Sequence, residues 1–65
     1  MIGMRIKTYI IHKGLKLSVV AERAGISLPI FSAMVNEKRK ISIEEYARIC
    51  GALEVPLETF VPPST

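Results

Sequence analysis

The segment Val20-Ala21-Glu22-Arg23-Ala24-Gly25-Ile26-Ser27 limits what this chain can fold into more than any other stretch. A glycine after a helical run ends it in the left-handed conformation, which side chains bearing a Cβ resist. Ile26 can then turn inward as the apolar plug of the turn. Ser27 is suited to N-cap the next segment, its hydroxyl accepting an orphan amide. Leu15 to Lys38 is therefore expected to run helix, tight turn, helix.

Ala21 is small enough to let two such helices cross steeply, as in the helix-turn-helix that lays its second helix in the DNA major groove. An α-hairpin of some other small bundle is the competing reading of the turn alone. Together with the Asn36–Lys40 loop and the Ala52-Leu53-Glu54-Val55 ending, the segment resembles the Cro/phage-repressor-type helix-turn-helix family, often called XRE-like. The resemblance covers nearly the whole chain, and Ala-x-x-x-Gly-Ile-Ser carries it. It implies an all-α, five-helix lambda-repressor-like fold, double-stranded DNA as partner, and a homodimer with recognition helices about 34 Å apart.

Sixty-five residues make one domain, residues 1–65, with the helix-turn-helix at about 16–36. At 49% hydrophobic and 23% charged the chain is of the globular class. A domain this small is marginal alone, which favours dimerisation. One cysteine excludes an internal disulfide and suits a reducing cytoplasm. No apolar run reaches the roughly 18 residues of a membrane span, and Met1-Ile2-Gly3-Met4 lacks the regions of a signal peptide. The expectation is a soluble cytoplasmic chain. Its Pro62-Pro63 ending suits either a terminus or a linker to more protein.

The net charge of +3 is unevenly distributed. Residues 1–40 hold Arg5, Lys7, Lys13, Lys16, Arg23, Lys38, Arg39 and Lys40 against Glu22 and Glu37; residues 41–65 hold Arg48 against Glu44, Glu45, Glu54 and Glu58. A basic front and an acidic back fit a protein that presents one face to a polyanion.

Ile2, Ile6, Tyr9, Ile10 and Lys13 share one stripe, predicting a first helix over about Met4–Lys13 stopped by Gly14. The second is predicted over Leu17–Ala24, with Val20, Ala21 and Ala24 inward. The third covers Leu28–Asn36, with Phe31 and Met34 inward and Pro29 tolerated in its first turn. Ser42 and Glu45 form a capping box at the start of a fourth, whose apolar face is Ile43, Tyr46, Ala47, Ile49, Cys50 and Leu53. Val55–Val61 reads as a turn into a short fifth helix, and Pro62–Thr65 is expected to fray.

The resemblance assigns base-facing positions to Leu28, Pro29, Ser32 and Ala33, where the family usually has Gln, Arg, Asn or Ser. Three of the four are apolar here, and apolar groups in the major groove recognise little except thymine methyls. Leu17, Leu28, Pro29 and Ile30 form an apolar cluster that is expected to be exposed. Phosphate contacts are assigned to Lys16 and Leu17 through free helix-start amides, and to Ser27, Asn36, Lys38, Arg39 and Lys40. Lys16 and Leu17 stand where the family often has a Ser or Thr cap and a bracing Gln. Glu37 stands where the family commonly has glycine, beside three cations whose field it thins. Asn36 is the candidate left-handed residue. A helix 1 arginine and a late helix 3 glutamate form an ion pair in several phage repressors; Ile10 and Val35 take these places, and both are apolar.

Leu57, Phe60 and Val61 either close the bundle or form a dimer seam. Cys50 reads as a buried hydrophobe, and a metal role for the single histidine, His12, is not expected. Paired carboxylates, a metal set and a nucleophile with its base are all missing from the pattern, so no enzyme, cofactor or small-molecule ligand is expected. The function implied is a sequence-specific DNA-binding regulator, of phage or mobile-element repressor type; the alternative is an antitoxin-like or anti-repressor protein-interaction module on the same fold.

Overall fold

In the computed structural model, which describes residues 2–61, four α-helices form: α1 Ile2–His12, α2 Leu17–Ala24, α3 Leu28–Val35 and α4 Ile43–Leu53. A single 3-10 turn, Leu57–Thr59, takes the place of the expected fifth helix. The cause is length. Pro56 cannot donate a hydrogen bond, and Val61 precedes another proline that disfavours the α conformation. The intervening residues close only short i→i+3 bonds, Thr59 N to Pro56 O and Val61 N to Glu58 O. The expected fraying of Pro62–Thr65 lies outside the described residues.

All four helices end in the same device. In each, the left-handed residue one or two positions beyond the helix donates its amide three residues back, and the following amide reaches five back, the Schellman pattern. The pairs are Gly14 N–Ile11 O with Leu15 N–Ile10 O, and Gly25 N–Glu22 O with Ile26 N–Ala21 O. Glu37 N–Met34 O with Lys38 N–Ala33 O, and Glu54 N–Gly51 O with Val55 N–Cys50 O, complete the set. The left-handed residue has φ of 70° at Gly14 and 72° at Gly25, but 64° at Glu37 and 58° at Glu54. Asn36, expected to be left-handed, has φ −96°; the turn falls one residue later, on Glu37. That position needs positive φ, the conformation glycine takes at least cost.

A glutamate in this region costs about 1–2 kcal/mol of backbone strain. Glu54→Gly is therefore expected to stabilise the domain by about 0.5–1 kcal/mol after the entropy cost of glycine. Glu37→Gly should gain less, because the Glu37 carboxylate accepts the Met4 amide at 2.9 Å. Thermal unfolding of both variants checks this order; an equal or larger gain from Glu37→Gly would contradict it.

The core is built from Ile6 and Ile10 of α1, Val20, Ala21 and Ala24 of α2, Phe31, Met34 and Val35 of α3, and Ile49 and Cys50 of α4. Ile26 plugs the turn as expected. α2 packs on α3 and α4, and α1 on α3. α1 starts at Ile2 rather than Met4 and ends at His12, which leaves Lys13 outside the apolar stripe with its ammonium 5.6 Å from the Tyr9 ring. Gly3 permits the early start: it lies so close to the Met34 carbonyl that a Cβ would collide with it. Ile43 is 89% exposed and Ala47 is exposed, so neither joins the α4 apolar face. Both lie on the outer side of a helix whose inner side is already supplied by Ile49, Cys50 and half-buried Tyr46.

Phe60 is 3% exposed and sits edge-on to Tyr9 and Tyr46, with ring centroids 5.5 and 6.4 Å away. It closes the bundle, while Leu57 and Val61 remain exposed. The Tyr46 hydroxyl donates to the Leu57 carbonyl and ties the 3-10 turn to α4. Among the described residues no single helix is long and apolar enough to cross a membrane.

Candidate nucleic-acid interface

Between α2 and α3 the chain bends by 110°, inside the range of about 90–120° for a helix-turn-helix. Three residues, Gly25 to Ser27, make the turn. Ser27 has the extended backbone of an N-cap, but its side chain makes no cap bond. Pro29 accounts for part of this: of the two amides a capping oxygen can serve, two and three positions on, the first is a proline nitrogen with no hydrogen. Ser27 is exposed with its hydroxyl outside the cap, and Lys16 is likewise an N-cap by backbone only.

The first turn of α3 presents Leu28, Pro29 and Ile30 to solvent, while Phe31, Met34 and Val35 face the core. Ser32 and Ala33 are half-buried. Leu17 is not part of the exposed cluster; it is half-buried and packs against the core. Ile10 and Val35 are both fully buried.

A polar bridge joins α1 to the end of α3 nearby. Lys7 Nζ donates to Asn36 Oδ1 at 2.6 Å, and Asn36 Nδ2 donates to the Ser32 carbonyl at 2.9 Å and to Ser32 Oγ at 3.3 Å. Both ends of the Asn36 amide are thus held inside the protein, and the cation brought to this edge is Lys7. Sequence reasoning missed Lys7. Its position beside the buried Ile6 was the available signal, since a residue flanking the buried stripe lies along the α1–α3 seam.

The loop after α3 carries the cations. The backbone of Lys38 is fixed next to α3 by the hydrogen bond its N–H donates to Ala33 O at 2.8 Å. Glu37, expected to sit among these cations, instead has its carboxylate at the start of α1 on the Met4 amide, because the left-handed turn aims it away. There it supplies the negative charge that the first turn of α1 lacks. Arg39 is committed to Glu45, at 3.5 Å. Glu45 also completes the capping box, accepting Ser42 N at 2.9 Å while Ser42 Oγ accepts Glu45 N at 3.1 Å. The Ser42 amide holds the Glu45 carboxyl below its usual range, with Arg39 and Arg48 assisting against desolvation. A depressed folded value means that this cap contributes above the ordinary carboxylate range and is lost as pH falls through it. Among the described residues Lys38 and Lys40 have no ion-pair partner, and both are exposed.

The structure therefore gathers Leu28, Pro29, Ser32, Ala33, Asn36 and Lys38 on and beside α3, with Ser27 at its start and Lys16 and Leu17 at the start of α2. Leu57 lies away from this set, whereas Val61 lines a groove that Arg39 and Lys40 also border. No curated protein and no solved structure matches the chain. Residues 5–62 match a known sequence family, described as Cro/C1-type HTH DNA-binding domain. The chain belongs to the Cro/C1-type helix-turn-helix DNA-binding family.

Proposed function

We propose that the protein is a sequence-specific DNA-binding regulator of phage or mobile-element repressor type that acts by occupying its site as a homodimer. The observation that carries this reading is the exposed first turn of α3 beside a loop whose Lys38 and Lys40 are free to meet phosphate. In this reading the α3 face formed by Leu28, Pro29, Ser32 and Ala33 meets base edges. Backbone amides at the starts of α2 and α3, with Ser27, Lys16, Lys38 and Lys40, hold phosphates. Asn36 acts by positioning Lys7, and Arg39 contributes in exchange for Glu45.

Dimerisation is supported by apolar residues left uncovered at one end: Ile43, Leu57 and Val61 are exposed. Ile43 and Val61 line a groove of about 470 Å³ with Ile2, Met34, Ile41 and Tyr46. The exposed apolar turn of α3 also favours a second reading, in which a protein partner docks there.

Lys38→Ala/Lys40→Ala separates the two. On duplex DNA the double variant should bind more weakly, and the slope of log affinity against log salt should fall by about 0.9 for each phosphate left unneutralised. An unchanged slope and affinity would contradict the phosphate role.

A further inference from the structure

α3 has the sequence Leu-Pro-Ile-Phe-Ser-Ala-Met-Val and carries no amide, guanidinium, ammonium or carboxylate side chain. Every bidentate pairing that distinguishes base pairs in the major groove needs one of those groups. The single hydroxyl, on Ser32, is half-buried and already receives the Asn36 amide. What the first turn offers instead is apolar and exposed: Leu28 at 45%, Ile30 at 42%, and Pro29 beside them.

We propose that this chain reads the C5-methyl groups of pyrimidines in the major groove through Leu28 and Pro29, the exposed apolar part of the α3 face. The inference rests on the DNA-binding reading above and names what that face recognises. The methyl gives the selectivity. Contact with it removes apolar surface from water on both sides. The polar group on C4, oxygen in thymine and amino in cytosine, is covered alike in either base, so it does not discriminate. The same face therefore favours a methylated pyrimidine over an unmethylated one without a hydrogen bond. The duplex is argued as occupant by the cations beside α3: Lys38, anchored to Ala33 O, and Lys7, held on Asn36. A 5-methylcytosine carries the same methyl, so either base is a source of the recognised group.

The experiment uses the full chain and random duplex pools containing thymine, uracil in place of thymine, or uracil together with 5-methylcytosine in place of cytosine. Sites enriched from the first pool should have thymines at fixed positions. Replacing one such thymine by uracil, which removes only the methyl, should weaken binding about fourfold. Enrichment from the third pool assigns 5-methylcytosine as an accepted source, and its absence assigns thymine alone. Leu28→Ser, at an exposed position, should bring the thymine-to-uracil ratio towards one while the salt slope stays unchanged. Equal binding to thymine and uracil sites, or enriched sites without fixed thymines, overturns the inference and leaves DNA binding standing. Failure of the folded chain to bind any duplex at low salt removes the DNA-binding reading and this one with it.

Discussion

Val35→Glu is expected to leave the domain largely unfolded at neutral pH, and Ile10→Arg to do the same. Both positions are completely buried, and an uncompensated charge in such a site costs about 3–5 kcal/mol. A single core of this size rarely supplies more than about 3–5 kcal/mol. Opposite charges placed together compensate one another in a buried site, and α1 packs on α3, so the double variant should recover part of the loss. A coupling of about 1 kcal/mol or more in a double-mutant cycle, read by urea unfolding, is the expected result. Strictly additive losses would show that the two positions do not share one contact.

Gly3→Ala should lower the melting temperature although alanine is the better helix former. A Cβ at Gly3 meets the Met34 carbonyl oxygen, a backbone atom that yields only if α1 and α3 separate, and the Glu37 carboxylate lies close as well. Overpacking of this kind costs about 1–3 kcal/mol, against a propensity gain of about 1 kcal/mol. In Gly51→Ala the same change should have the opposite sign, since that glycine is helical, exposed, and has open space where a Cβ would go. There the gain of about 1 kcal/mol is unopposed and should raise the melting temperature by about 4–8 °C. A stabilising Gly3→Ala would show that α1 moves freely over the end of α3.

These pairs show which features are legible in the sequence. Gly25 and Ile26 announce the central turn because a local rule ties glycine to positive φ, and Ser42 with Glu45 announces α4 because both partners lie within one turn. The equivalent turns at Glu37 and Glu54 are not legible, since glutamate gives no sign of left-handed backbone. Glu37 meets the Met4 amide, and Lys7 meets Asn36, across 33 and 29 residues of chain; only the packed bundle brings them together. Ser27 illustrates a local rule met only in part: its backbone is that of an N-cap, while its hydroxyl makes no cap bond. At α3 the base-facing positions follow from resemblance, while their apolar chemistry is plain in the sequence and points away from hydrogen-bond readout.

The central claim is that α3 and the adjoining cation loop form a surface for duplex DNA. Its most direct test is fluorescence anisotropy of the chain with a labelled pool of random duplexes, titrated at two salt concentrations. Micromolar or tighter binding that weakens steeply with salt is the predicted result, as expected when several phosphates are neutralised. A folded chain that leaves the duplex unbound at low salt would contradict the claim.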